Sequence, residues 1–169
     1  RYSDQDGREI ASEREFKIGL QNAKNLLGKR VISRQAKVEA SSVAIPEDGR
    51  DLSPENVLKE EKSVLHADRP MWSSEFRDGQ FILFDLGKTF FVSDISLSWE
   101  NGAKEYSLLA SDDKETWRTV YDFSGFEYGK IAYEIGVSAR YFKLDLKTRL
   151  NKAFGFGIRH VDFYGEEIR

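Results

Sequence analysis

The chain contains no cysteine among its 169 residues. A disulfide framework and a zinc site built from thiolates are therefore both excluded. Histidine occurs twice and proline three times. No stretch approaches the roughly 20 consecutive apolar residues that a membrane-spanning helix needs. These absences predict a domain that is held together by an ordinary hydrophobic core, which a chain of this length can form without cross-links.

A strong charge of either sign is also missing. The chain has 26 Lys and Arg against 29 Asp and Glu, which gives a net charge of −3. Nucleic-acid-binding domains present a net basic face to the phosphates, so this balance argues against nucleic acid as a partner. The chain opens on the polar residues Arg1 to Asp6 without a signal peptide or an initiator methionine, and we expect it to be a piece of a longer protein.

The first 28 residues predict a lead-in to the main domain. Residues 1–11 are polar and predict a frayed terminus. Ser12 and Glu15 have the spacing of a capping box, and Gly28 has the position of a helix stop. Apolar residues between them recur at helical spacing, namely Phe16, Leu20, Ala23 and Leu27. We therefore expect a short N-terminal helix.

Residues 29–169 predict a single all-β domain. Side chains alternate between apolar and polar along short segments, as in Ile95 to Trp99, and turn pairs such as Asn101-Gly102 separate them. About eight such strands, with no crossover helices, indicate an antiparallel jelly-roll β-sandwich. We expect Asp85 to Lys88 to end one strand. Residues 41–75 form a long polar stretch, and loops of that length are often functional.

Several blocks of sequence, in order, resemble one family. They are Asn25 to Lys29, Ala40 to Ser42, Pro54 to Leu58, Met71 to Ser74, Phe84 to Gly87, Tyr106 to Asp113 with Trp117, Ala139 to Leu144 and Ile158 to Gly165. Over residues 25–165 the chain resembles the discoidin, or coagulation factor V/VIII type C, domain. This galactose-binding-like fold binds ligands through loops at one end of the sandwich. The resemblance also implies that Trp72, Trp117 and Tyr141 are core residues.

The resemblance to carbohydrate-binding members implies a site in three loop segments, at residues 73–78, 100–101 and 149–154. A sugar site needs an aromatic ring for stacking and polar side chains for the hydroxyl groups. The candidates for ligand binding are Glu75, Phe76, Arg77, Asn101, Arg149, Asn151 and Phe154. Of these, Phe76 or Phe154 would stack, and the arginine and asparagine side chains would form hydrogen bonds.

Many relatives hold a structural calcium beside these loops, through an Asp-Gly pair and a glutamate in the last strand. In this chain Lys59, Glu60 and Glu61 follow the matching block, and His160 stands where the glutamate would be. Calcium prefers several hard oxygen ligands, and imidazole is a poor substitute. We therefore expect no cofactor and doubt the calcium site.

The expected function is that of a non-catalytic module which tethers a larger extracellular or cell-surface protein to glycans. No catalytic motif supports an enzyme: His66 and His160 lack metal-ligand spacing, and no Gly-x-Ser-x-Gly sequence occurs. The alternative is an adhesion or scaffold module that binds a protein through a flatter apolar patch. Membrane insertion through Val43 to Pro46 or Met71 is disfavoured, because Glu47, Asp48 and Asp51 would be repelled by an anionic lipid surface.

Overall fold

The computed structural model describes residues 2–3, 9–11, 26–60 and 69–168 of the chain. Their regular elements are almost entirely β-strands, with one short 3₁₀ helix at Pro54–Leu58. The strands are β1 (Tyr2–Ser3), β2 (Glu9–Ala11), β3 (Lys37–Ala40), β4 (Trp72–Ser73), β5 (Gln80–Asn101), β6 (Ala103–Ser111), β7 (Arg118–Glu127), β8 (Lys130–Arg149) and β9 (Gly157–Glu167). The predicted all-β antiparallel sandwich is thereby confirmed.

The lead-in differs from the prediction where it is described. β1 and β2 pair antiparallel as a two-stranded sheet, where the polarity of residues 1–11 had predicted a frayed terminus. The predicted helix lies largely outside the described residues. Its last positions, at Leu26 to Gly28, form a turn in which the Lys29 amide donates to the Leu26 carbonyl at 3.1 Å. The boundary at residue 28 stays a prediction.

Strands β3 to β9 form one hydrogen-bonded sheet that folds over itself. The order is β4-β9-β5-β8-β6-β7, and β3 pairs with β5. The first part of β5 pairs with β3 and the last part of β8, whereas its second part pairs with β9 and the first part of β8. The two long strands therefore belong to both layers of the sandwich.

Asp85 to Lys88 was expected to end a strand, and this expectation was wrong. β5 continues through these residues, with a shift of register between Asp85 and Phe90. Gly87 has a φ of +87°, which a residue with a side chain rarely adopts, and its amide donates to the Asp85 carboxylate at 2.8 Å. The turn chemistry was thus identified correctly, but it produces a bulge inside a bent strand.

The core lies between the two layers and is rich in aromatic rings. Trp72, Phe84, Phe142 and Phe163 are fully buried. The rings of Phe84 and Phe163 meet edge to face at 5.1 Å, which is a favourable arrangement for aromatic pairs. The prediction of Trp72 as a core residue is therefore confirmed.

Two other predicted core aromatics lie at the surface. Trp117 and Tyr141 are only half-buried. Cationic side chains cover their rings: Lys143 Nζ lies 4.3 Å from the centre of the Trp117 ring, and the Arg140 guanidinium carbon lies 5.0 Å from that of Tyr141. Their prediction as core residues was wrong, because long polar side chains and not the opposite layer cover them. Among the described residues, no helix has the length and apolar character required to cross a membrane.

Candidate functional site

Loops at one end of the sandwich enclose a groove of about 630 Å³. β5 ends at this end of the molecule, and β9 starts there, since Asn101 pairs with Gly157. The groove is lined by residues of four segments, at 44–52, 71–76, 100–101 and 154–155. We refer to it as the loop-end groove. It brings together parts of all three segments that the resemblance singled out, together with the start of the long polar stretch.

Two aromatic rings from different loops line the loop-end groove. Phe76 is 62% exposed and Phe154 is 46% exposed. Leaving such rings in water forgoes the stabilisation that burial of a large apolar side chain provides. Rings that stay exposed inside a concave surface are typical of ligand sites in which one face of the ligand is apolar. Both rings are therefore open to a ligand that enters the groove.

Polar groups without a partner lie on the same surface. The Asn101 side chain is half-buried and makes no hydrogen bond with any described residue. A Cβ atom at Gly157 would lie 3.1 Å from Asn101 Nδ2, so a larger residue there would crowd the amide. Arg50 Nε is buried and has no hydrogen-bond partner in the described part of the chain, and it lies 3.9 Å from an Asp48 carboxylate oxygen. The Asn101 amide is therefore open to a ligand, as is the exposed part of the Arg50 guanidinium, whose side chain is 35% exposed.

The charged side chains around the groove are largely compensated by one another. Glu75 and Glu100 line it. Arg77 Nε lies 2.9 Å from a Glu75 carboxylate oxygen, and Arg159 forms a salt bridge with Glu100. Arg77, a predicted ligand-binding residue, is not among the lining residues. The groove thus offers hydrogen-bonding groups without a large excess of charge.

Arg149 and Asn151 shape the loop between β8 and β9. The Arg149 side chain is only 10% exposed; its Nε donates to Asp78 at 2.8 Å and its Nη1 to the Phe154 carbonyl at 3.2 Å. This guanidinium also holds the pKa of the Asp78 carboxyl below its usual value. Asn151 Oδ1 accepts from the Ala153 amide at 2.9 Å, which closes a local turn. Both predicted ligand-binding residues therefore position Phe154.

The same loop is pressed against the segment that carries Phe76. The Ser74 amide donates to the Phe156 carbonyl at 2.9 Å, and the Phe156 amide donates to Ser74 Oγ at 2.9 Å. A Cβ atom at Gly155 would lie 2.2 Å from the Ser74 carbonyl oxygen. Glycine is therefore required for the two aromatic loops to approach this closely.

Sequence reasoning did not identify the wall formed by the long polar stretch, which includes Arg50. Asn56, in the 3₁₀ helix, is buried and holds this wall: its Nδ2 donates to the Asp51 and Met71 carbonyls, each at 3.0 Å. The spacing of residues 41–75 shows no period, so only the length of the stretch indicated a functional loop. The Asn56-containing block was noticed, but its amide could not be assigned a partner from sequence.

A buried carboxylate lies beneath the turn that follows Asn101. Glu127 accepts hydrogen bonds from Trp99 Nε1 at 2.9 Å and from the Tyr133 hydroxyl. Burial raises the pKa of the Glu127 carboxyl, and hydrogen bonds from Tyr106, Tyr133 and Trp99 oppose that rise. A Cβ atom at Gly102 would lie 1.8 Å from the Glu127 carbonyl oxygen, so the turn rests directly on this residue.

The residues present do not fit the calcium site implied by the family resemblance. Lys59 Nζ donates to Asn56 Oδ1 at 2.8 Å, and His160 Nδ1 lies 3.1 Å from the Lys59 carbonyl. An ammonium and an imidazole thus stand where calcium would need hard oxygen ligands. Among the residues that the structure describes, no group of three or more His, Cys, Asp or Glu side chains is arranged to hold a metal ion.

A second groove, of about 850 Å³, lies at the other end of the β5–β9 ladder, where Phe90 pairs with Glu167. Its lining includes Phe91, Lys29 and Gly165. Lys29 Nζ donates to the buried Asp94 carboxylate at 2.6 Å. With one partly exposed ring, this surface lacks the pair of aromatic rings found in the loop-end groove.

Solved structures with the same fold include two modules of a chitosanase/glucanase from Paenibacillus sp. IK-5. Chitosan-binding module 1 has a TM-score of 0.69 and 22% identity, over 80% of this chain and 99% of that one. Chitosan-binding module 2, in complex with chitotriose, has a TM-score of 0.65 and 21% identity, over 79% of this chain and 99% of that one. At these identities the likeness concerns the fold.

A third neighbour is CpGH89CBM32-5 from Clostridium perfringens, in complex with GalNAc-β-1,3-galactose. It has a TM-score of 0.64 and 15% identity, over 80% of this chain and 99% of that one. No curated protein sequence gives a significant match. A sequence profile of the F5/8 type C domain matches residues 37–160. Since this match covers most of the chain and the fold agrees with it, the chain belongs to the F5/8 type C domain family.

Proposed function

We propose that this chain is a non-catalytic carbohydrate-binding module and that the loop-end groove binds its glycan. The observation that carries the proposal is the combination of two exposed rings, Phe76 and Phe154, with the unpaired amide of Asn101 in one concave surface. The apolar face of a sugar ring stacks on an aromatic ring, and its hydroxyl groups exchange hydrogen bonds with amide and guanidinium groups. Arg50, which lines the same groove, supplies a second donor.

The ligands of the structural neighbours support this proposal. Chitotriose is bound to one Paenibacillus module and GalNAc-β-1,3-galactose to the Clostridium module. Part of a family 89 glycoside hydrolase from Clostridium perfringens also shares the fold: 81% of this chain aligns with 15% of that enzyme. We infer an extracellular or cell-surface location, where a module of this kind would hold a larger protein on glycans.

The groove favours a glycan over a protein partner. A protein-binding module would present a flat apolar patch, whereas this surface is concave and carries several polar groups. Ile45 is 96% exposed at its rim, but Met71, the other candidate apolar loop tip, is buried. A catalytic role has less support, since the glutamates that line the groove, Glu75 and Glu100, are both held by arginines.

The Phe76→Ala and Asn101→Ala variants are each expected to bind glycan about tenfold more weakly, because each removes roughly 1.4 kcal/mol of stacking or hydrogen bonding. The experiment is a glycan array with the wild-type chain, followed by calorimetric titration of chitotriose and GalNAc-β-1,3-galactose. Phe91→Ala is the matched control, because it removes a partly exposed ring from the other groove.

The proposal predicts that the control binds like the wild type and that all variants keep the wild-type melting temperature. A wild-type chain that binds no glycan on the array would overturn it. Equal losses in all three variants would also contradict the proposal, because they would place the glycan away from the loop-end groove.

A further inference from the structure

The hairpin between β7 and β8 carries two exposed aromatic residues that the loop-end groove does not include. Phe126 is 67% exposed and Tyr128 is 47% exposed. Glu127, between them, is buried and accepts a hydrogen bond from Trp99. This buried hydrogen bond fixes the backbone of the hairpin at Glu127, and the rings of Phe126 and Tyr128 project from the residues on either side. We call Phe126 and Tyr128 the hairpin aromatics.

The hairpin is held against the end of β5 that carries Asn101. The Trp99 amide donates to the Gly129 carbonyl at 2.9 Å. A Cβ atom at Gly102 would lie 3.2 Å from the Tyr128 Cα, so the two backbones touch. Asn101 precedes Gly102 and lines the loop-end groove. The hairpin aromatics therefore lie at the same end of the molecule as the groove, next to the strand end that carries Asn101.

The chemistry of this surface matches that of the groove. Lys104 Nζ lies 5.9 Å from the centre of the Phe126 ring, at the distance of a cation–π contact. This contact places a hydrogen-bond donor next to the ring. An exposed aromatic ring with an adjacent polar donor is again the pairing that a sugar ring requires.

We propose that the hairpin aromatics form a second subsite, which contacts the sugar units of an oligosaccharide beyond those held in the loop-end groove. This inference rests on the proposed function. The occupant is the continuation of the same glycan chain, because the hairpin that carries these rings packs against the strand end that carries Asn101, a residue of the groove. The ligand class is therefore an extended oligosaccharide or polysaccharide, and affinity should rise with chain length.

The test is calorimetric titration of glucosamine, chitotriose and chitohexaose into the wild type, a Phe126→Ala/Tyr128→Ala double variant and Phe91→Ala. The wild type is expected to bind chitohexaose about tenfold more tightly than chitotriose. The double variant should lose that gain and keep its affinity for chitotriose. Phe91→Ala should behave like the wild type with both sugars, and circular dichroism should show the same fold in all three.

Equal affinity of the wild type for chitotriose and chitohexaose would overturn the second subsite and leave the proposed function intact. A double variant that keeps the full gain with chain length would do the same. Absence of binding to all three sugars, together with no binding to any glycan on the array, would overturn the proposed function and the second subsite with it. Sedimentation velocity tests whether a second copy of the chain, and not a glycan, covers these rings. A wild-type dimer that is absent in the double variant would show this and would overturn the second subsite.

Discussion

Replacing Glu127 with alanine is expected to lower the free energy of unfolding by about 3 kcal/mol. The carboxylate is the acceptor for the buried Trp99 Nε1 and for the hydroxyl of the half-buried Tyr133, and both donors would lose this acceptor. Each buried donor that loses its acceptor costs on the order of 1–3 kcal/mol, and the missing side-chain volume adds a cavity. Urea unfolding followed by tryptophan fluorescence measures the loss.

Glu115→Ala is the matched control, because Glu115 is exposed, and its effect should stay within about 0.5 kcal/mol. A Glu127→Ala variant as stable as this control would contradict the assignment of Glu127 as the buried acceptor. The wider consequence concerns the glycan site. Because the turn after Asn101 lies on Glu127, the Ala variant should also bind glycan more weakly than its folded fraction explains.

The pH dependence of stability tests the same carboxylate. Its pKa in the folded state is raised above the usual value of 4.5, so the folded state retains the proton more strongly than the unfolded state. The contribution of Glu127 to stability is therefore largest at low pH. It falls as the pH rises from the usual pKa to the raised one, and is constant above that. In the Glu127→Gln variant this pH-dependent contribution to the free energy of unfolding should vanish. A variant with the same pH profile of stability as the wild type would contradict a raised pKa of Glu127.

Replacing Gly155 with alanine is expected to abolish glycan binding and to destabilise the domain by about 2 kcal/mol. The added Cβ would lie 2.2 Å from the Ser74 carbonyl oxygen and 2.9 Å from the Glu75 carbonyl oxygen. These are backbone atoms, which cannot rotate away, so the loops that carry Phe76 and Phe154 would have to separate. The two stacking surfaces would then no longer face one ligand.

Thermal unfolding and calorimetric titration of chitotriose measure the two effects of Gly155→Ala. Lys152→Ala is the control in the same loop, since its side chain is exposed. It should leave the melting temperature unchanged and alter affinity by less than about threefold. If Gly155→Ala binds chitotriose like the wild type, the close approach of the two loops is not what forms the site.

The fold was predictable because its signals are local. Alternation along Ile95 to Trp99 correctly placed Ile95, Leu97 and Trp99 on one buried face, although Ser96 on the other face is buried as well. The course of β5 and β8 was not predictable. Gly87 reads as the end of a strand in sequence, yet a bulge lets β5 bend and continue as the partner of other strands. Whether a turn signal ends a strand or bends it depends on which neighbouring strands pair with the residues before and after the turn.

The site was predictable only in part. Glu75, Phe76, Asn101 and Phe154 line one groove, as the resemblance implied for their loops. Arg149 and Asn151 instead form hydrogen bonds within the loop, a role that their residue types do not distinguish from ligand binding. Glu127 looks like an exposed hairpin residue in sequence. Its burial follows from contacts with Trp99 and Tyr133, which no local pattern encodes.

The most direct test of the loop-end groove as a glycan site is a titration of the ¹⁵N-labelled chain with chitotriose, followed by amide chemical shifts. The largest shifts are expected in residues 44–52, 71–77, 100–102 and 150–155, around Phe76, Asn101 and Phe154. Largest shifts around Phe91 and Gly165 instead, in the second groove, would contradict the account, as would a spectrum that chitotriose and GalNAc-β-1,3-galactose both leave unchanged.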